Sequence, residues 1–233
     1  MKTERIKLWD LPTRVFHWLL MFLIVAAIVT GKTGGNAIEW HGRIGLTILG
    51  LIVFRVVWGF VGSSHARFAN FVPSPSSLRA YLRGRWTGIG HNPLGALSVL
   101  ALLALVGVQA GTGVFSNDDI AFQGPLSGLI DKSLSDWLTG IHKTAINLLI
   151  ALIALHLVAI AFYTKVKKDT LVKPMLTGWK DVPPGQGKSA TGGGPIAVVI
   201  ALLIALAVVY VATGQWLERP AAAVETTTAA PAW

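Results

Sequence analysis

Residues 141–163 read IHKTAINLLIALIALHLVAIAFY. A helix needs about 20 apolar residues to cross a hydrocarbon core, and this stretch supplies them with a single charge, Lys143, near its start. Two histidines interrupt it, His142 and His156. At about 100° and 1.5 Å per residue, the fourteen steps between them return to within about 40° of the starting direction and climb about 21 Å. The two rings therefore share one face of a helix at two depths. Ionisable side chains inside a membrane are costly and mark functional sites.

Outward from this stretch lie four more apolar runs, at residues 15–30, 41–62, 94–115 and 195–213. Hydrophobic residues make up 53% of the 233-residue chain and charged residues 13%, about half the charged share of a soluble domain. A single soluble domain cannot hide that much apolar surface. The first run is followed by TGKTGGN rather than a small-residue cleavage site, so it reads as a retained span and not a secretory leader. The chain has no cysteine, which excludes disulfides, iron–sulfur clusters, thiolate-bound zinc and covalently attached c-type haem.

The net charge of +9 reads as membrane topology and not as a nucleic-acid surface. Lys2, Arg5, Lys7 and Arg14 precede the first run. Arg67, Arg79, Arg83 and Arg85 fall between the second and third, and Lys165, Lys167, Lys168, Lys173, Lys180 and Lys188 between the fourth and fifth. The alternate loops carry Glu39, Asp118, Asp119, Asp131 and Asp136, with Lys32 and Lys132. By the positive-inside rule the N-terminus is cytoplasmic and, with five spans, the C-terminus is outside. The expectation is a multi-pass protein of the bacterial inner membrane.

That topology sorts the histidines by depth. His17 and His156 fall at the cytoplasmic level, His41 and His142 at the outer level. Two histidine pairs at two depths in an apolar bundle can hold two haems by bis-histidine ligation. Zinc would want three or four clustered ligands. Arg55, fourteen residues after His41, lies on the same face at the cytoplasmic level and needs an anion. A haem propionate would serve, and the alternative is an arginine snorkelling to headgroups. Arg43 and Lys143 flank the outer histidines and are candidates for the outer haem. Gly45, Gly50, Gly107, Gly111 and Gly113 either leave room for a flat macrocycle or serve close helix packing. The third run, opened by the Asn92 cap and Pro93, has no histidine and completes the bundle without ligating. His65 and His91 are cytoplasmic-side loop residues, with a quinone contact, a proton relay or a substitute ligand as other roles.

Several motifs carry a family resemblance: WDLPTRVFHWLL (9–20), EWHGRIGL (39–46), RVVWGFVGSSHARFANFV (55–72), YLRGR (81–85), GHNPLGALS (90–98), TGIHKTAINLLIALIALH (139–156) and KDTLVKPMLTGWK (168–180). In order and spacing the chain resembles the bacterial cytochrome b561 family, which includes the b-type subunit of nickel–iron hydrogenases. The resemblance implies a four-helix bundle with two haem b groups, ligated from the first, second and fourth helices. It also implies electron exchange between the quinone pool and a partner such as a periplasmic hydrogenase or c-type cytochrome.

The expected fold is all-α: a four-helix haem-binding membrane domain over residues 1–181, a flexible Gly/Pro linker at 182–194, a fifth transmembrane helix at 195–214 and a disordered periplasmic tail at 215–233. A proton-coupled transporter would need carboxylates or broken helices in the spans, and none is seen. A non-catalytic anchor would leave four depth-matched histidines as coincidence.

Overall fold

The computed structural model describes residues 2–120 and 122–217; most of the expected tail lies outside the described residues. The elements in chain order are β1 (Glu4–Lys7), α1 (Leu11–Thr33), α2 (Ala37–Val61), α3 (Phe68–Phe71), α4 (Pro75–Leu82), α5 (Pro93–Gly113), α6 (Lys132–Lys165), α7 (Val172–Thr177), β2 (Trp179–Val182) and α8 (Pro195–Ala212). Five of them, α1, α2, α5, α6 and α8, are long and apolar enough to cross a membrane. Their outward faces carry exposed Phe22, Leu155, Leu157 and Leu203, which suits lipid as the surrounding solvent.

The helix starts follow local chemistry. Asp10, Asn92 and Asp131 each accept a backbone N–H three residues on, and prolines occupy the first turns of α1 and α5. Asp131 starts α6 nine residues before the apolar run does. At 34 residues this helix is about 51 Å long, and its polar first turns bond the segment after α5, where Ser135 donates to the Phe115 carbonyl and Thr139 accepts from Asn117 N–H.

α2 is the hub. It packs along α1, α5 and α8, while α6 pairs with α5. The core it organises includes Phe16, Ile48, Ile52, Trp58, Val106 and Leu149. α8 lies on α2 through small residues. Ala201 and Ala205 are buried, and a Cβ on Gly50 would sit 2.8 Å from Val209. Of the two roles read for Gly50, helix packing is the one seen; it faces α8.

The two ends of the bundle differ. One carries the antiparallel β1–β2 pair, in register from Glu4 opposite Val182 to Lys7 opposite Trp179, with Ile6 and Val182 turned inward. This pair adds a small sheet to the helical architecture. At the same end Asp10 accepts Trp58 Nε1–H at 3.1 Å and the Ser63 hydroxyl, which ties the start of α1 to the end of α2. Residues 188–192 run along this end as a strap. Ala190 N–H donates to the Lys7 carbonyl, Ser64 N–H to the Thr191 carbonyl, and His65 Nε2–H to the Lys188 carbonyl at 3.0 Å. The other end holds the 34–36 turn and the loop between α5 and α6. We refer to these as the strand end and the loop end.

Candidate functional site

At the loop end, His41 from α2 and His142 from α6 face each other. Their ring centroids are 6.0 Å apart and the planes are perpendicular, at 89°. Each ring is fixed by the same device. His41 Nδ1–H donates to the Ala27 carbonyl of α1 at 2.9 Å, and His142 Nδ1–H donates to the Gln109 carbonyl of α5 at 2.9 Å. A carbonyl only accepts, so each proton sits on Nδ1 and each Nε2 keeps its lone pair. Four residues beyond each carbonyl lies a glycine. A Cβ on Gly31 would be 2.9 Å from His41 Nδ1, and one on Gly113 would be 3.1 Å from His142 Cε1. The two halves of the site are thus built alike: a carbonyl that holds the ring and, one turn on, a glycine that makes room for it.

Between the helices lies a cavity of about 640 Å³, within the roughly 300–1,000 Å³ range of ligand sites. Ile24, Ile28, Ile48, Val106, Ile146 and Leu149 form apolar walls, and Lys32, Arg43 and Lys143 stand on its polar lining. Gly45 also lines it and has open space where a Cβ would go. Opposed neutral imidazoles with free Nε2 atoms, beside an apolar cavity with cations on its lining, fit a haem. Among the described residues no three His, Cys, Asp or Glu gather into a metal cluster, so the donor set is one of pairs.

The strand end brings His17 of α1, His156 of α6, Arg55 of α2 and His91 into one electrostatic neighbourhood. Its construction is different. Among the described residues neither the His17 nor the His156 ring has a hydrogen-bond partner, and His17 Nδ1 is buried without one. Arg55 is 3% exposed. Its guanidinium lies 5.2 Å from the Phe68 ring and 5.8 Å from the Phe71 ring, within cation–π range. Its Nη1 has no partner. It is enclosed in protein with the Asp10 carboxylate as a nearby opposite charge, and its unpartnered Nη1 fits an anionic group such as a propionate.

The His91 ring lies tilted against Trp9 at 4.7 Å and Phe71 at 5.1 Å. Burial, reinforced by the charges of Arg55, His156, His65 and His17, holds its imidazole down at about 4. It is neutral at pH 7. His91, His65, Trp9, Phe71 and Trp86 line a second cavity of about 270 Å³. His65 is engaged by the strap.

Three participants escape a reading of residue types. Gln109 serves through its backbone, and its buried Oε1 is left unpartnered on the cavity wall; an amide within an apolar run was the available signal. Gly31 sits in what reads as a turn after the first run. α5, expected only to complete the bundle, supplies the acceptor and the glycine for His142.

The family described as prokaryotic cytochrome b561 matches residues 8–178. The chain is similar to a probable Ni/Fe-hydrogenase B-type cytochrome subunit of Azotobacter chroococcum mcd 1, at 23% identity over 77% of this chain and 90% of that one. The same description belongs to a relative from Azotobacter vinelandii, at 25% identity with the same coverages. A third, from Rhizobium leguminosarum bv. viciae, is 24% identical over 44% of this chain and 55% of its own length. No solved structure matches the chain significantly.

Proposed function

Because the chain belongs to the prokaryotic cytochrome b561 family, we propose that it is a di-haem b-type membrane cytochrome that carries electrons between the quinone pool and a periplasmic partner. The observation that carries this reading is the facing of His41 and His142, each with its Nδ1–H on a helix carbonyl and its Nε2 free. Metal-bound imidazoles are oriented in this way. His41 and His142 would hold one haem, and His17 and His156 the other. Arg55 anchors a propionate of the second haem, while Arg43 and Lys143 serve the first. Haem b supplies a one-electron carrier at each end, and the chain's part is to ligate it, exclude water from it and set its potential.

The strand end faces the cytoplasm and the loop end the periplasm, since Arg and Lys dominate the segments at the strand end. The periplasmic partner is a hydrogenase-like enzyme, in line with the description of the relatives, or a c-type cytochrome. The acidic loop would steer a basic partner. There Lys132 is already engaged by Asp119 at 2.8 Å and Asp136 at 2.9 Å. The aromatic cavity around the neutral His91 supports a quinone site at the strand end.

The test is a pyridine haemochrome assay with a reduced-minus-oxidised spectrum of the fully loaded chain. Two haem b per chain are expected. One or none would end the di-haem reading.

A further inference from the structure

The cavity of about 270 Å³ at the strand end is walled in part by His65 and Ile89. The strap and the residue before it hold both from behind. His65 Nε2–H donates to the Lys188 carbonyl at 3.0 Å. Ile89 rests on Gly187: a Cβ there would overlap Ile89 Cδ1 and lie 3.2 Å from Ile6 Cδ1. Ile6 is 1% exposed and has no room to retreat.

The strap is itself fixed along its length. Lys7 N–H donates to Ser189 Oγ at 3.0 Å, Ala190 N–H to the Lys7 carbonyl at 2.7 Å, and Ser64 N–H to the Thr191 carbonyl at 2.8 Å. Gly192 bridges Ser63. Gly193 follows at φ +68°, where a Cβ would come within 2.7 Å of Ser63 N and 2.9 Å of Trp58. Glycine admits that left-handed turn so close to the end of α2. α8 then starts at Pro195. The whole strap lies beyond residues 8–178, which the family matches.

The bond to Lys188 decides what His65 can offer. A carbonyl only accepts, so the proton sits on Nε2, and in the neutral ring Nδ1 keeps its lone pair. In the same cavity the buried Nδ1 of His91 has no partner. A buried polar atom left unmatched costs free energy that a ligand recovers. Trp9, Phe71 and Trp86 supply an aromatic lining. We propose that the strap is a specificity element of this cavity: by holding His65 Nε2–H on the Lys188 carbonyl it makes the ring a hydrogen-bond acceptor, which selects an aromatic ring bearing a hydroxyl, the reduced form of a quinone. This rests on the quinone reading above and adds which form the cavity prefers. His65 is the group that meets the ligand. Gly187 and Lys188 act through Ile89 and His65 and are positioning residues. The selection is one of binding, in which no electron or proton changes hands.

Redox-inert probes keep the test apart from electron transfer. The full haem-loaded chain in detergent is titrated with a 4-alkylphenol and with its methyl ether, which keeps the ring and the oxygen but has no donor. The phenol should bind about tenfold more tightly, the discrimination set by one hydrogen bond to a buried group. In His65→Phe the two affinities should become equal. Ala190→Pro deletes the N–H that ties the strap to Lys7 and should reduce the discrimination with haem content unchanged. Nitrogen NMR of the reduced, histidine-labelled chain should place the His65 proton on Nε2, and the Nδ1 signal should move with the phenol and not with the ether. A merely structural His65 would show no such movement. Should His65→Phe fail to hold haem, Ala190→Pro and the NMR signal decide. An ether that binds as well as the phenol, a discrimination that survives either substitution, or a His65 proton on Nδ1 would overturn the inference. If a decyl-substituted benzoquinone and the phenol both fail to bind wild type, the quinone site itself falls. If both bind but the phenol has no advantage over its ether, this inference alone falls.

Discussion

The loop end holds its imidazoles by backbone: two carbonyls, two glycines and an apolar cavity between helices. The strand end surrounds its imidazoles with side chains, namely Arg55 over Phe68 and Phe71, His91 between Trp9 and Phe71, and Asp10 tying α1 to α2. A backbone-built site depends on helix position and tolerates little added volume. A side-chain-built site depends on charge and aromatic packing. Substitutions should therefore fail differently at the two ends.

The largest effect is expected from filling a glycine cradle. Gly31→Leu or Gly113→Leu places side-chain atoms where an imidazole stands and should remove the loop-end haem while the strand-end haem stays, halving the haem content. Loss of both haems with the fold intact would break the claim that the ends are independent.

Arg55→Leu comes next. Removing one partner of a buried charge pair costs about 3–5 kcal/mol, so the strand-end haem should pass much faster to an excess of a haem-scavenging apoprotein. Arg55→Lys should recover most of the retention. Equal loss from both ends would put Arg55 outside the strand-end site.

His91 gives a pH signature. Its imidazole lies at about 4 in the fold against an ordinary 6.5. Between those values the unfolded chain takes up a proton that the folded chain refuses, so stability falls as pH drops from 6.5 toward 4 and is unaffected by this group above 6.5. The shift corresponds to at most roughly 3 kcal/mol. Thermal unfolding in detergent should show His91→Phe flattening this dependence relative to wild type. An unchanged slope would mean that His91 is not the group responsible.

The smallest effect belongs to a position away from both sites. Gly50→Leu meets Val209 on α8 and should cost about 1–3 kcal/mol by overpacking, with haem content and spectrum unchanged. A spectral change would make α8 part of the haem environment.

Much of this was legible in the residues because a bilayer imposes length and charge rules on the chain. The five runs, the Asn92 start and the sorting of four histidines into two levels follow from span length, capping chemistry and Arg/Lys placement, whereas the Asp131 start lies ahead of the apolar run and was not read. The fittings were not legible. A carbonyl that orients a histidine is blind to residue type, so neither Ala27 nor Gln109 announces itself. β1 and β2 are four residues each, too short for a period to show, and they pair across nearly the whole described chain. Residues 182–194 have a linker's composition, but their hydrogen bonds to Lys7, Ser64 and His65 depend on where the helices bring those partners. Gly50 could face a macrocycle or a helix, and only the docking of α8 decides between them.

The central claim is that each end binds one haem through its own histidine pair. It is tested most directly by low-temperature difference spectra and haem content for His17→Ala, His41→Ala, His142→Ala and His156→Ala, each beside wild type. The account predicts two haems in wild type and one in every variant, with His41 and His142 deleting the same spectral component and His17 and His156 deleting the other. A shared component lost from His17→Ala and His41→Ala, or full haem content in any variant, would contradict it.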